Sequence, residues 1–223
     1  MSDLAIYDMD RTVTRRATYT PFLLHCAVRR APWRLIFLPL VLLSMLAYVA
    51  KLIGRAKLKE LNHQLLIGHW IHPRELKPLV DSFADKQVTA NIRPGARAAI
   101  ARDKAQGRRV VMATASYRLY AAAIAERLGF DDVIGTGSVI GLDERVRARI
   151  EGENCYADAK LRMIADWVEK SGLLGRHGHV RFYSDHASDA PAFEWSDEPV
   201  AVNPHARLAR LAAERGWRVE DWG

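Results

Sequence analysis

The sequence has little cysteine. Its 223 residues include two, Cys26 and Cys155, in neither metal-ligand nor CxxC spacing. This scarcity excludes a disulfide scaffold and a cysteine-ligated metal centre, and we expect two free thiols. The chain opens without a basic segment followed by an apolar run. A secretory signal is therefore not expected, and the sequence predicts a cytoplasmic protein.

Acidic residues are missing from a long segment near the start. Residues 11–59 contain ten lysines and arginines but no aspartate or glutamate. This segment accounts for the net charge of +7, because the rest of the chain has 23 basic and 26 acidic side chains. Such a block indicates an anionic partner, either nucleic acid or an acidic membrane surface, or else a solvated positive face. We find no base-reading module and expect no nucleic acid.

Short β-branched runs alternate with helical patterns outside the basic segment. The runs are LAIYD (4–8), RVVMAT (109–114), DVIGT (132–136), VRFYSD (180–185) and PVAVN (199–203). This alternation predicts an α/β fold with a doubly wound, Rossmann-like parallel sheet. The alternating stretch 138–152 predicts a small β-hairpin.

Residues 15–90 do not alternate in this way and instead predict consecutive helices. The expected helices are 17–31, 33–53, 56–68 and 73–84. We therefore divide the chain into a core (1–14 and 91–223) and an all-helical insertion after the first strand (15–90), called the helical cap below.

The helical cap contains the most apolar stretch of the chain, residues 35–50, with 16 uncharged residues. As a helix it would extend about 24 Å, which is less than the roughly 30 Å of a bilayer core. A single crossing would also separate the first strand from the others of its sheet. The segment 33–53 is therefore expected to be buried cap core, a re-entrant helix broken near Pro39, or an interfacial helix. Flanking basic residues, with Trp33 and Tyr48, favour the interface.

Polar side chains follow three of the predicted strands. Because ligands collect at the carboxyl ends of parallel strands, we expect these side chains at one edge of the sheet. They are Asp8, Asp10 and Thr12 after the first strand, Thr114 and Ser116 after the second, and Asp185 and Asp189 after VRFYSD. Lys160 begins a helix in between, and Ser116 is expected to be the N-cap of the next helix. Closely spaced carboxylates raise each other's pKa, so a divalent cation is the expected partner.

These residues resemble the four motifs of the haloacid dehalogenase superfamily, subfamily IB, which is phosphoserine phosphatase-like. The matches are DMDRT (8–12), VVMAT (110–114), Lys160 and SDHASD (184–189), in the family's order. The resemblance implies a phosphomonoesterase with an inserted cap. His186 stands where the family more often has serine, and we do not assign it a catalytic role.

The resemblance also implies a role for each motif residue. Asp8 would be the nucleophile and Asp10 the general acid and base, while Thr114 and Lys160 would bind the phosphoryl oxygens. Mg²⁺ would be held by Asp8, Asp185 and the carbonyl of Asp10. Asp189 would support its waters or orient Lys160, unless it only begins a helix. Thr12 is assigned to substrate binding.

The cap residues bear on the substrate. Phosphoserine phosphatases carry a glutamate nine residues after the nucleophile, where this chain has Ala17 preceded by Arg15 and Arg16. We assign both arginines to substrate binding and expect an anionic substrate. VRRAP (28–32), the apolar run and GRAK (54–57) resemble the phosphatidylglycerophosphatase C branch.

The resulting hypothesis is hydrolysis of a lipid phosphomonoester such as phosphatidylglycerophosphate, by a peripheral protein on the anionic inner face of the cell membrane. The first alternative is a soluble small-metabolite phosphatase. The non-enzymatic alternative is a receiver-like signalling module, although such domains are about half this length.

Overall fold

The computed structural model describes residues 3–173 and 178–223. Within these residues, one eight-stranded sheet has the order β2-β5-β4-β3-β1-β6-β7-β8. The strands are β1 (Leu4–Tyr7), β2 (Trp70–Ile71), β3 (Arg109–Tyr117), β4 (Asp132–Ile140), β5 (Val146–Glu151), β6 (Val180–Ser184), β7 (Glu198–Val202) and β8 (Arg218–Glu220).

Strand β1 lies in the centre of the sheet and pairs in parallel with both β3 and β6. All four of its residues are completely buried, which explains why LAIY is an uninterrupted apolar run. Strands β4, β7 and β8 extend the parallel part, whereas β5 and β2 are antiparallel. The predicted α/β parallel sheet is confirmed, as is the hairpin, in which Ser138 pairs with Ile150.

Helices cover the sheet and form most of the cap. They are α1 (Tyr19–Arg30), α2 (Leu38–Val49), α3 (Arg55–Leu66), α4 (Pro73–Ala90), α5 (Pro94–Ala105), α6 (Arg118–Leu128), α7 (Asp158–Ser171), α8 (Ala190–Trp195) and α9 (Ala206–Arg215). A 3₁₀ helix over Pro32–Phe37 precedes α2. The expectation of an all-helical insertion is wrong at β2, which pairs with β5 of the core.

The two connections between core and cap run side by side. Thr14 and Ile92 form an isolated antiparallel bridge, and the amide of Arg93 donates to the carbonyl of Val13 at 3.0 Å. This paired crossing lies near the boundaries proposed from the sequence, after residue 14 and before residue 91. Cys26 and Cys155 are buried free thiols, as expected.

The apolar segment of the cap is largely exposed. Pro32–Val49 is three residues longer at its start than the run 35–50 and meets the length and composition of a membrane span, but by these criteria alone; only 11% of it is buried. In α2, Val41 and Ser44 face the protein, and the Ser44 hydroxyl donates to Asn62 Oδ1 at 2.7 Å. The exposed large apolar side chains are Trp33, Ile36, Leu38, Leu40, Leu42, Leu43, Leu46, Val49 and Leu52. The alternative of a buried cap core is therefore wrong for most of this segment.

Candidate active site

A cavity of about 370 Å³ lies between the carboxyl ends of the central strands and helices α2 and α3. It is lined by side chains from both the core and the cap. The lining residues are Asp8, Asp10, Arg11, Ala17, Tyr19, Tyr48, Arg55, Leu58, Lys59, Thr114, Ala115, Ser116, Tyr156, Lys160, Asp185, His186, Ser188 and Asp189. With the exception of Thr12, the strand-end residues that the sequence singled out all line this cavity.

Asp8 directly follows β1, and its amide donates to the carbonyl of Tyr183 on β6 at 2.9 Å. Its Oδ1 accepts a hydrogen bond from Lys160 Nζ at 2.7 Å, and its Oδ2 accepts one from Thr12 Oγ1 at 3.2 Å. Burial raises the pKa of Asp8 to about 8; the charges of Asp189 and Asp185 also raise it, whereas Lys160 lowers it. The carboxylate therefore needs cations around it to be ionised at neutral pH.

Lys160 supplies one of these cations. It lies in the first turn of α7, and its ammonium donates to Asp8 Oδ1 and to Asp189 Oδ2, each at 2.7 Å. Burial lowers the pKa of Lys160, but the carboxylates of Asp189 and Asp8 outweigh this effect and raise it. Asp189 Oδ2 also accepts from Ser184 Oγ at 2.7 Å. This geometry favours the orienting role of Asp189 over a metal-ligand role.

Asp10 lies in a five-residue turn over Met9–Val13 that follows β1; its own backbone is extended, and Arg11 after it has a positive φ of 66°. Its Oδ1 accepts from both the amide and the hydroxyl of Thr18, each at 2.7 Å. Its Oδ2 accepts from Ser116 Oγ at 2.7 Å, and Tyr120 donates to that serine at 2.6 Å. Both oxygens of Asp10 are therefore held toward the cavity from the core and from the start of the cap.

Ser116 is not the helix N-cap that the sequence predicts. Strand β3 continues through Tyr117, which occupies the N-cap position of α6 instead. The Ser116 amide donates to Thr114 Oγ1 at 3.0 Å, and its side chain is bonded to Asp10. The spacing to Thr114, two residues along an extended strand, was the signal that could have placed both hydroxyls on the same face.

Thr12 requires a correction to its predicted substrate-binding role. Its side chain is completely buried and is not among the residues that line the cavity. The hydroxyl lies 3.2 Å from Asp8 Oδ2 and 3.2 Å from Asp185 Oδ1, and it accepts from the Asp185 amide at 3.0 Å. Thr12 therefore positions the carboxylates of Asp8 and Asp185 from the protein interior and does not line the substrate cavity.

The donor set at this point fits a hard divalent cation. Asp8 and Asp185 are buried carboxylates bridged by one hydroxyl, and burial raises the pKa of Asp185 as well. In residues 3–173 and 178–223, no cluster of three or more His, Cys, Asp or Glu side chains could hold a metal. A cation here would use two carboxylates, the carbonyl of Asp10 and water, a set that suits Mg²⁺.

Arg15 and Arg16 are not brought into the cavity. Both side chains are exposed, and their amides are bonded to Asn91, at the return crossing from the cap. The cap cations that do line the cavity are Arg55 and Lys59 on α3. Both are among the basic residues that flank the apolar run, which the sequence indicated for an anionic membrane surface, because nothing in α3 alone shows which side of the helix faces the core.

His186 also lines the cavity. Its Nδ1 lies 2.8 Å from Ser188 Oγ and accepts from the Ser188 amide at 3.1 Å. Its ring contacts the ring of His205, with centroids 4.3 Å apart. Burial lowers the pKa of His186, and His205 lowers it further. His186 thus caps the short turn that presents Asp189.

The family can be identified from this site and from a direct comparison. The model of a family described as haloacid dehalogenase-like hydrolases matches residues 5–194, which include all four motifs. The chain belongs to the haloacid dehalogenase-like hydrolase family. The alternative of a receiver-like module is therefore not supported.

Curated relatives match the chain at moderate identity. A histidinol-phosphatase of Neisseria meningitidis is 27% identical over 146 residues, which are 65% of this chain and 66% of that protein. The phosphoserine phosphatase SerB1 of Mycobacterium tuberculosis is 31% identical over 148 residues, 66% of this chain and 47% of that protein. The match thus covers between about half and two thirds of the length of these relatives.

One solved structure is similar to this chain along all of its 223 residues. It is a protein of unknown function from Bordetella pertussis Tohama I, with a TM-score of 0.89 and 26% identity over 100% of both chains. The finer resemblance to the phosphatidylglycerophosphatase C branch has no support from these three relatives.

Proposed function

We propose that this chain is a Mg²⁺-dependent phosphomonoesterase that acts on a small phosphorylated metabolite through an aspartyl-phosphate on Asp8. The observation that carries the proposal is the pairing of buried Asp8 with Lys160, beside an Asp10 carboxylate held by Thr18 and Ser116. Relatives named histidinol-phosphatase and phosphoserine phosphatase support a small-metabolite ester.

The proposed reaction has two steps. An Asp8 oxygen attacks phosphorus, the bond to the alcohol oxygen breaks, and protonated Asp10 gives its proton to that oxygen. Asp10 then takes a proton from water, whose oxygen attacks the phosphoryl group, releasing phosphate and restoring the Asp8 carboxylate. Lys160 and Thr114 bind phosphoryl oxygens during both steps. Bound Mg²⁺ would neutralise charge on the phosphoryl group.

The direct test measures phosphate release from a small ester such as phosphoserine, with Mg²⁺ present, by the wild type and by Asp8→Asn. Removing the nucleophile should lower turnover by about a thousandfold or more, because no covalent intermediate can form. Asp166→Asn is the matched control, since Asp166 forms an exposed ion pair with Lys170 outside the cavity. Full turnover in Asp8→Asn would contradict the mechanism.

A lipid phosphomonoester at the membrane surface is the second candidate substrate. The observation that favours it is the exposed apolar side of α2, whose last turn includes the cavity residue Tyr48. A face of this kind suits an interface between water and lipid. A substrate at that interface would be close to the cavity.

A substrate panel separates the two candidates. It compares histidinol phosphate, phosphoserine and sugar phosphates with phosphatidylglycerophosphate, each with and without detergent. The first proposal predicts the highest kcat/KM on a water-soluble ester, with no effect of detergent. A clear preference for the lipid ester would favour the second candidate.

A further inference from the structure

Lys59 is a buried cation in the wall of the cavity. Its side chain belongs to α3 of the cap and is only 6% exposed. The ammonium donates to the carbonyl of Ala115 on β3 and to Asn154 Oδ1, the latter at 2.5 Å. These bonds use two of its three N–H groups, which leaves one donor for a ligand.

In the described part of the chain, no carboxylate forms a direct ion pair with Lys59. Among the described residues its hydrogen-bond partners are both neutral. The rings of Tyr19 and Tyr117 lie 5.7 and 5.8 Å from the ammonium. Burial lowers the pKa of Lys59 to about 8, although the Asp10 carboxylate raises it; Arg55 has a smaller lowering effect. A buried ammonium with neutral partners is costly, and an arriving anion would offset that cost.

Arg55 is a second cation on the same wall, one turn earlier in α3. Its guanidinium lies 3.7 Å from the ring centroid of Tyr156, and it donates to the hydroxyl of Tyr48 at 3.3 Å. Both partners are neutral. In the described cavity lining the acidic side chains are the four motif carboxylates, and Ala17 contributes no charge. The charged side chains that the cap contributes to the described lining are therefore both cations, Arg55 and Lys59.

We propose that Lys59, with Arg55, binds a second anionic group of the substrate, beyond the phosphoryl group that is cleaved. The inference rests on the proposed phosphomonoesterase function and specifies its substrate class: esters whose alcohol part carries a carboxylate or another phosphate. Charge-assisted hydrogen bonds from buried donors give such a site its selectivity. An ester whose alcohol part carries only an ammonium would be disfavoured.

Three esters that differ in one group test this subsite. Phosphoglycolate carries a carboxylate, 2-hydroxyethyl phosphate a hydroxyl, and phosphoethanolamine an ammonium. For the wild type we expect KM for phosphoglycolate to be about tenfold lower than for the hydroxyl ester, and KM for the ammonium ester to be the highest. Equal KM values for the carboxylate and hydroxyl esters would overturn the proposal.

Substitutions of Lys59 and Arg55 test whether these two residues cause the preference for the carboxylate ester. Lys59→Met should reduce the preference for the carboxylate ester about tenfold, whereas Lys59→Arg should retain much of it. Lys57→Met is the matched control, because Lys57 is an exposed lysine of the same helix outside the cavity. Since Lys59 also joins cap to core, Arg55→Met provides a second variant with the same expected loss. An unchanged preference in both folded variants would contradict the inference.

A binding measurement separates this inference from the proposed function. Calorimetry with Mg²⁺ compares phosphonoacetate with methylphosphonate, neither of which can be hydrolysed as a phosphate ester. Tighter binding of phosphonoacetate by about tenfold, lost in Lys59→Met, supports the subsite even if no ester is turned over. Equal affinity in the wild type refutes the subsite while leaving the phosphatase proposal intact.

Discussion

At the scale of single residues, short hydroxyl side chains set the geometry of the carboxylates. Thr18 and Ser116 hold Asp10, and Thr12 holds Asp8 and Asp185. None of these hydroxyls carries charge, and each is buried by neighbouring elements. A hydroxyl in the sequence does not reveal its partner, because Ser and Thr serve equally well in caps and turns. The sequence therefore predicted the carboxylates but not most of the side chains that position them.

Ser116 provides a test of this positioning. Ser116→Ala removes one charge-assisted hydrogen bond to Asp10, a bond of about 1.5–3 kcal/mol, so we expect kcat to fall about tenfold or more. KM should change little, because the Ser116 hydroxyl donates to Asp10 and accepts from Tyr120, and so its hydrogen bonds are made within the protein. Ser196→Ala is the control, since that hydroxyl donates to the carbonyl of Phe193, away from the cavity. An unchanged kcat in Ser116→Ala would show that Thr18 alone fixes Asp10.

His63 gives a prediction about stability and pH. It is 1% exposed in α3, and within the described structure neither ring nitrogen has a hydrogen-bond partner. Burial lowers the pKa of His63 to about 4. Between about pH 6.5 and 4 the unfolded chain therefore binds this proton and the folded chain does not. The free energy of unfolding should fall by about 3 kcal/mol as pH falls through that window.

Urea unfolding at pH 7 and near pH 4.5 measures this effect. His63→Leu should lose much of the decrease, because a leucine of similar size needs neither a proton nor a partner. Some decrease should remain, since burial also lowers the pKa values of His25 and His186. His69→Gln, at an exposed position, should behave like the wild type. The same pH dependence in His63→Leu and wild type would refute the assignment.

At the scale of elements, the strands were predictable and the faces of the cap helices were not. The strand LAIY is recognisable because it is central in the sheet and fully buried, so none of its positions carries a charged side chain. In contrast, β2 has two residues and exists only because β5 pairs with it. Helix α3 shows the same limit, since Lys57 and Lys59 look alike in sequence while one is exposed and the other is buried.

Helix α2 carries a prediction about membrane binding. Leu43 and Leu46 are 60% and 57% exposed. If this face docks on lipid, each leucine gains about 1.5–3 kcal/mol on burial, so Leu43→Glu with Leu46→Glu should weaken binding at least about tenfold. Flotation with phosphatidylcholine vesicles containing about 30% phosphatidylglycerol measures the fraction of protein bound to lipid. Leu142→Glu, at an exposed leucine of the β4–β5 hairpin, is the control.

The topology restricts how α2 can meet a membrane. Strands β1 and β3 precede and follow the cap and pair with each other. A helix that crossed the bilayer once between them would leave them on opposite sides. The face can therefore only lie on the surface or enter and leave on the same side. A protein that stays with the soluble fraction at low salt would contradict the docking and leave the small-metabolite substrate as the better proposal.

At the scale of the whole molecule, the cavity joins the two parts of the chain. Its acidic side comes from the ends of β1 and β6 and its cap side from α2 and α3. Lys59 bonds across this boundary to Ala115 and Asn154. The acidic side forms only when the chain is folded. A ligand that binds there should therefore raise the free energy of unfolding.

Mg²⁺ should therefore raise the melting temperature. At about 100 times its Kd, a ligand adds about 2.7 kcal/mol, which for a chain of 223 residues corresponds to about 5–10 °C. Asp185→Asn should abolish the increase, because it removes one of the two carboxylates that share Thr12. In EDTA this variant should melt no lower than the wild type, since it has less repulsion to overcome. Asp166→Asn should respond to Mg²⁺ like the wild type, and identical melting of the wild type in Mg²⁺ and EDTA would refute the proposed cation site.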